Sequence, residues 1–248
     1  MKKYLLALSA CLVLVACEEE ENQDNNQNDQ PTTPTALNPT PSGDVDAVFV
    51  ALNTASTIDV PIFGEQTVQI GTATANSLDG TDMGTVTAED QELRNNGGGS
   101  YFYQPGPTNT EGISYDRSVE WSVGGGSNVG SFTYNYLREV PEMQGVSGDI
   151  EGELDLSQNV TISYSSASDL GDADSLYFAI YDAKGNYVLK RSGANQRSME
   201  FTTAETSSLS SGFGYIQVNA FTYSIVNQGG ADCAFIVQGS NTKSVTIK

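Results

Sequence analysis

The sequence predicts an all-β fold for the chain beyond residue 43, and two observations carry that prediction. No stretch after this point keeps the 3.6-residue periodicity of an amphipathic helix. Instead, short runs rich in Val, Ile, Thr, Tyr and Phe alternate with turns that contain Gly, Asn, Asp or Ser. The predicted strands are 47–52, 67–74, 84–87, 100–103, 118–123, 131–135, 148–155, 159–164, 175–181, 187–191, 198–202, 214–223, 234–238 and 244–247.

Many short strands at regular spacing are typical of β-sandwiches of the Ig-like or fibronectin-like kind. The chain has 248 residues, so the part after residue 43 has room for two sandwiches of about 100 residues each. We place them at 44–141 and 146–248. A single β domain of about 200 residues is the alternative.

Each half carries its own large apolar residues. Trp121 is expected to centre the first core. The second core is expected to contain Tyr177, Phe178, Ile180, Phe213, Ile216, Val218 and Phe235. The segment from Asp182 to Asn186, with Gly185 inside it, predicts a tight hairpin turn between two strands.

The first residues have the features of an exported chain. Lys2 and Lys3 precede an apolar run that is too short to span a bilayer, which indicates a signal peptide over residues 1–16. The run ends in Leu14-Val15-Ala16-Cys17, which resembles the lipobox of bacterial lipoproteins. That resemblance implies that Cys17 is diacylated and becomes the first residue of the mature chain.

Residues 17–43 predict a disordered tether, because they are acidic and rich in Asn, Gln, Pro and Thr. The run Glu18-Glu19-Glu20-Glu21 resembles the export signal that sends lipoproteins of Bacteroidota to the outer face of the outer membrane. We therefore expect a lipid-anchored protein that faces the cell exterior. Attachment that faces the periplasm is the alternative.

The folded part also resembles the small all-β modules of Bacteroidota surface lipoproteins. The similarity lies in Ile70-Gly71-Thr72-Ala73-Thr74-Ala75, in Trp121-Ser122-Val123-Gly124-Gly125, and near the end in Ile216-Gln217-Val218-Asn219-Ala220 and Ser244-Val245-Thr246-Ile247. The resemblance implies a non-catalytic module of the cell envelope and transfers no site residues.

Composition excludes several classes of function. The net charge of −20 argues against a nucleic-acid partner, which needs clustered Lys and Arg. The chain has no His, which removes Ser-His-Asp and Cys-His catalysis, and its three Cys are too few for an all-cysteine zinc site. We expect no cofactor, no metal centre and no catalytic residue. Cys233 lies in an apolar, strand-like run and is expected to be a buried thiol.

A hydrolase that uses two carboxylates is the alternative function, because glycoside hydrolysis needs no histidine. The first half offers Asp79, Asp82, Glu89, Asp90, Glu92, Glu111, Asp116 and Glu120. Most of them lie in turn-like contexts, and solvated surface acids are the simpler interpretation.

Three further features are candidates for a site. Tyr101 and Tyr103 alternate on one strand, so both could stack on a sugar, although a core-facing pair is the simpler interpretation. Asp174-Ser175-Leu176 resembles an O-glycosylation acceptor of exported Bacteroidota proteins. Asp169, Asp172 and Asp174 form an acidic loop, and the sequence leaves open whether they bind calcium.

Taken together, the sequence predicts a lipid-anchored, non-catalytic binding or structural module of the outer membrane. Its expected partners are the membrane, through the lipid on Cys17, and a glycan or another envelope protein.

Overall fold

The computed structural model describes residues 44–60, 64–148, 152–166, 170, 175–193 and 196–248. The lipobox with Cys17, the tether, and the acidic residues Asp169, Asp172 and Asp174 lie outside the described residues. Within the described ranges, no helix is both long and apolar enough to cross a membrane.

The described chain is almost entirely β, which confirms the predicted fold class. In chain order the elements are β1 (Ala47–Val60), β2 (Gly64–Ser77), β3 (Val86–Ala88), β4 (Gln91–Glu92), β5 (Arg94–Gly97), β6 (Ser100–Phe102), β7 (Val119–Val123), β8 (Phe132–Tyr136), β9 (Met143–Gly148), β10 (Glu153–Leu154), β11 (Val160–Ser166), β12 (Ser175–Asp182), β13 (Tyr187–Ser192), β14 (Ser198–Phe201), α1 (Thr203–Thr206), β15 (Gly212–Gln228) and β16 (Ala231–Ile247).

The largest sheet of the fold has nine strands. Its strands follow the order β13-β12-β15-β16-β1-β2-β6-β5, and β10 also pairs with β16. β1 and β16 run parallel, with Ala47 opposite Cys233, so the first and last strands of the described chain pair at the centre of this sheet. The other described elements form a three-stranded sheet, β14-β11-β9, and a four-stranded sheet, β4-β3-β7-β8.

Two hydrophobic clusters lie on one face of the nine-stranded sheet. The first, around Trp121, joins β1, β2 and the early part of β16 to the four-stranded sheet. The second, around Phe178, joins β12, β15 and the end of β16 to the three-stranded sheet. Both smaller sheets therefore pack on the same side of the large one.

The predicted core residues follow this arrangement only in part. Trp121 is fully buried in the first cluster, as predicted, and Phe178, Ile180, Ile216 and Val218 lie in the second. Phe235 lies in the first cluster instead, and Phe213 is 45% exposed. The two differences have separate causes. β16 runs for 17 residues and so reaches both clusters, which places Phe235 in the first, whereas Phe213 points to the other face of β15.

The division into two sandwiches stays a prediction. Ala231, Cys233, Phe235 and Val237 belong to the second predicted unit, yet they pack in the first cluster. A long strand that serves two clusters is a non-local feature that composition along the chain does not reveal.

Several local predictions are confirmed. Asp182 to Asn186 form the hairpin between β12 and β13, and Gly185 has a φ of +85°. Cys233 is fully buried, and burial raises the pKa of its thiol to about 11, so the thiol is unreactive at neutral pH.

The single described helix, α1, was not predicted. The Thr202 side chain accepts a hydrogen bond from the Glu205 backbone N–H, and the Glu205 side chain accepts one from the Thr202 backbone N–H. The T-x-x-E pattern of this capping box was the signal for α1 in the sequence.

Candidate functional site

The face of β12, β13, β15 and β16 that points away from the clusters has an unusual composition. On β15, Ile216 and Val218 point into the second cluster, so Gln217 and Asn219 point to the opposite side. We call this side of the four strands the amide–aromatic face. Its described members are Ser175, Tyr177, Ala179, Tyr181, Tyr187, Leu189, Arg191, Phe213, Tyr215, Gln217, Asn219, Phe221, Tyr223, Ile225, Asn227, Asp232, Ala234, Ile236, Gln238, Ser240, Thr242, Ser244 and Thr246.

The exposed apolar side chains are concentrated on this side of the sheet. Of the seven large hydrophobic residues that are exposed in the described part, five point this way: Val68, Tyr187, Leu189, Phe213 and Ile225. They are spread over the sheet, since Phe213 and Ile225 lie at opposite ends of β15 and Val68 lies on β2.

Aromatic rings cross the face at one end. Phe213 contacts Tyr215 edge to face at 4.8 Å between ring centroids, and Tyr215 lies opposite Tyr181 in the strand register. Tyr181 in turn contacts Tyr187, at 5.7 Å between centroids. The four rings thus form a row across three strands, with the exposed Phe213 and Tyr187 at its two ends.

Amide side chains occupy the middle of the face. The Tyr181 hydroxyl donates to Gln217 Oε1 at 3.4 Å, and Gln217 Nε2 donates to Ser240 Oγ and Thr242 Oγ1, both at 3.3 Å. On the neighbouring row, Gln238 Nε2 donates to Asn219 Oδ1 at 3.4 Å. These long contacts hold the amides in place but leave part of their hydrogen-bonding capacity unused.

Asn219 is the member of this face that most needs an explanation. The residue is 0% exposed, and its Nδ2 has no hydrogen-bond partner. A buried donor without a partner typically costs about 1–3 kcal/mol of stability. Such a donor is normally satisfied by ordered water or by a ligand.

A cation and two rings adjoin Asn219. The Arg191 guanidinium donates to Ser175 Oγ at 2.6 and 3.0 Å and lies over the ring of Tyr177, 5.7 Å from its centroid. Tyr177 is the cross-strand neighbour of Asn219, and it stacks on Phe221 with 5.2 Å between the centroids. The Arg191 guanidinium therefore already contacts Ser175 and Tyr177 of the same chain.

This arrangement places the predicted glycosylation residue inside the fold. Ser175 is 1% exposed, and its hydroxyl oxygen accepts both hydrogen bonds from Arg191. A sugar transfer to Ser175 would have to precede the pairing of β12 with β13.

Both tyrosines that were candidates for stacking on a ligand lie against the first cluster. Tyr101 is 1% exposed and belongs to the first cluster, so its ring cannot form a stacking surface, and here the core interpretation is correct. Tyr103 is half-buried against the same cluster. The reason is the pairing of β6 with β2, which turns Tyr101 to the covered face of the sheet.

The Tyr101 hydroxyl reaches an open groove of about 610 Å³ lined by Asp82, Glu92 and Arg94, among others. This hydroxyl accepts from the Met83 backbone N–H at 2.8 Å and donates to Asp82 Oδ1. Asp82 also accepts from the Gly84 N–H at 2.7 Å. Hydrogen bonds from Tyr101 and Gly84 hold the pKa of Asp82 below its usual value.

We expect Tyr101→Phe to destabilise the protein by about 1–2 kcal/mol, because it leaves the Met83 N–H without its acceptor. Chemical denaturation with Trp121 fluorescence measures this difference. Tyr103→Phe is the matched control on the same loop edge and should cost clearly less. Equal losses would show that the Tyr101 hydroxyl has no special part in this corner of the fold.

The carboxylates that were proposed for a hydrolase serve as local hydrogen-bond acceptors where the structure describes their contacts. Asp79 accepts from Ser77, Thr81 and Asn128, which lowers its pKa. No group of three or more metal-ligating side chains occurs among the described residues.

Sequence reasoning missed Gln217, Asn219 and Gln238. The signal was present in the strict alternation of Ile216, Val218 and Ala220 with polar residues, but such a strand is also expected to expose its polar side to water. Comparison with protein-family models and with curated proteins finds no match to this chain.

Proposed function

We propose that this protein is a non-catalytic lipoprotein of the cell envelope, held in the outer membrane by lipid on Cys17, that binds a partner through the amide–aromatic face. The observation that carries the binding role is the unpartnered Nδ2 of the buried Asn219, on the side of the sheet that also holds five exposed apolar residues.

The sequence before Asp44 supports the attachment. The lipobox ends at Cys17, and the polar residues 18–43 predict a spacer without a core of its own. A flexible chain of this length has an end-to-end distance of about 30 Å. The folded part would then extend from the membrane on a tether, and the acidic run after Cys17 favours the outer face.

The groove at Asp82 does not favour the alternative function, a hydrolase that uses two carboxylates. A two-carboxylate hydrolase needs one carboxyl group with a raised pKa, the general acid, beside a second one that is ionised. Hydrogen bonds lower the pKa of Asp82, so Asp82 suits only the ionised role. The contacts of Asp82 are those of a structural acceptor, which favours the binding role.

Cys17→Ser is expected to move the protein from the membrane fraction to the soluble fraction, because the serine cannot carry the thioether-linked lipid. Fractionation of the native host, with immunoblotting, measures the change. Cys233→Ser is the matched control: it removes the buried thiol and should leave the protein in the membrane fraction.

Membrane association that survives Cys17→Ser would contradict the proposed attachment. Labelling of intact cells with a membrane-impermeant amine reagent tests the orientation, since Lys184 is exposed in the turn between β12 and β13. Labelling only after the outer membrane is opened would favour the periplasm-facing alternative.

A further inference from the structure

We infer that the partner of this protein is an acidic, extended segment of another protein, which adds a strand to the nine-stranded sheet beside β13. This inference rests on the proposed binding role of the amide–aromatic face, to which the exposed side chains of β13 belong, and adds the chemical class of the partner. Three properties of β13 carry it: outward-pointing backbone groups, exposed apolar side chains, and a local excess of positive charge.

β13 is an open edge of the largest sheet. It pairs with β12 on one side, and no described strand pairs with its other side. The Asp182 N–H donates to the Asn186 carbonyl at 2.9 Å, so the even-numbered residues of β13 continue the bonds to β12. The N–H and C=O groups of Tyr187, Leu189 and Arg191 therefore point outward, where an added strand would bond to them.

The opposite edge of the same sheet is less suited to a further strand. β5 is four residues long, and its pairing with β6 shifts register between Asn95 and Gly97. Such an irregularity distorts an edge and hinders the addition of a strand. β13 pairs with β12 over six consecutive positions without a shift. Of the two ends of the described strand order, β13 therefore offers the regular edge.

Two apolar side chains are exposed on β13. Tyr187 is 56% exposed and Leu189 is 37% exposed, and both point to the amide–aromatic face. Side chains of an added strand would pack beside them and remove their apolar surface from water. In this mode of recognition the backbone bonds supply affinity, while alternate side chains supply specificity.

The charge around β13 selects an acidic partner. Residues 183–199 contain four Lys and Arg and no Asp or Glu, in a chain with 31 acidic residues against 11 basic ones. One of these cations, Lys190, forms an ion pair. The other three, Lys184, Arg191 and Arg197, are exposed and pair with no carboxylate within the described ranges. A strand that carries carboxylates would be attracted here, and a basic strand would be repelled.

The same charges argue against two other occupants. A second copy would place two basic β13 strands side by side, and like charges on an edge hinder such self-pairing. An anionic membrane would attract the cations, but its hydrocarbon core cannot pair with the outward N–H and C=O groups of β13. An acidic strand satisfies both the charges and the backbone groups.

The test uses the full chain carrying Cys17→Ser, which removes the lipid and leaves β13 unchanged. Fluorescence anisotropy measures its binding to a short, labelled peptide in which Glu alternates with Val and Tyr. We expect the peptide to bind, and to bind more weakly as the salt concentration rises. A counterpart with Lys in place of Glu should bind about tenfold more weakly or less well still.

Leu189→Pro tests the backbone of the edge. It removes one outward N–H, and an edge strand tolerates proline where the N–H faces solvent. We expect about tenfold weaker binding, the equivalent of one lost hydrogen bond, and a melting temperature close to that of the parent. Leu189→Ala is the matched control: it keeps the N–H and should lose less affinity.

Arg191→Gln tests the charge without any change to the backbone. We expect it to weaken binding about twofold to fivefold, the range for an exposed ion pair. Arg117→Gln makes the same change in net charge at an exposed position outside residues 183–199, and it should bind as the parent does.

The inference is wrong if the acidic peptide does not bind, if the Lys counterpart binds as tightly, or if Leu189→Pro and Arg191→Gln both bind as the parent does. A dimer in analytical ultracentrifugation that Leu189→Pro abolishes would also overturn it, as would binding to phosphatidylglycerol vesicles in place of the peptide. The fractionation of Cys17→Ser needs no peptide, so a failure of this inference is distinguishable from a failure of the proposed lipoprotein role.

Discussion

Phe235→Ala is expected to lower the free energy of unfolding by about 3–5 kcal/mol, the range for a large aromatic removed from a core. The side chain is fully buried and stacks on Phe49 with 5.0 Å between the ring centroids. It also contacts the ring of Tyr134 at 4.4 Å. Removing it would leave a cavity between β16, β1 and the four-stranded sheet.

Urea denaturation measures this loss, with fluorescence from Trp121 as the probe, since it is the one tryptophan of the chain. Phe213→Ala is the matched control, because the sequence predicts both phenylalanines for the same core while the structure leaves Phe213 45% exposed. We expect its effect to stay within about 0.5 kcal/mol. Similar losses for the two variants would contradict the described face assignment of β15 and β16.

Asp182→Ala is expected to lower the free energy of unfolding by about 2–4 kcal/mol, because several donors lose their shared, buried acceptor together. The Asp182 carboxylate accepts from the backbone N–H groups of Lys184, Asn186 and Ser210, each at 2.9 Å, and from Asn186 Nδ2 at 2.8 Å. The residue is only 4% exposed. The same carboxylate thus fixes the β12–β13 hairpin and the segment that leads into β15.

The pH dependence of this contribution follows from the pKa of Asp182. Burial raises that pKa, but the hydrogen bonds from Asn186, Ser210 and Lys184 outweigh burial and hold it below the ordinary value. The carboxylate therefore stabilises the fold fully above the unfolded pKa of about 3.9, and the contribution declines as the pH falls below that value. The difference in stability between wild type and Asp182→Ala should narrow in this acidic range.

Asp155→Ala is the control for Asp182→Ala, since Asp155 also accepts hydrogen bonds within a turn. Asp155 accepts from the Ser157 N–H at 3.0 Å and from Gln158 Nε2 at 3.0 Å, but these contacts face water. Because water can replace an exposed acceptor, this variant should lose clearly less stability than Asp182→Ala. Equal losses of stability in the two variants would show that burial does not strengthen the contribution of the hydrogen bonds to Asp182.

The sequence predicted those features of the fold that depend on residues close together along the chain. Alternating apolar residues predicted the strands, a Gly in the turn predicted the hairpin after Asp182, and the apolar run around Cys233 predicted its burial. These features depend on backbone geometry and on neighbours a few residues away, so the sequence around each residue is informative.

The features that the sequence did not predict depend on distant pairing. β1 and β16 are the first and last strands of the described chain, and their pairing brings Phe235 beside Phe49. Alternation defines two faces of a strand but does not say which face another sheet will cover. For that reason Phe213 was placed in a core, and the amides at Gln217 and Asn219 were passed over as ordinary solvent-facing residues.

The central claim is that the mature protein begins at a lipid-bearing Cys17, and mass spectrometry of the N-terminal peptide tests it most directly. The protein is purified from the membranes of its native host and digested, and the N-terminal peptide is extracted with organic solvent. We predict a peptide that starts at Cys17 and carries the mass of a diacylglyceryl group. An unmodified N-terminus at Cys17, or a chain that still retains residues 1–16, would contradict the account.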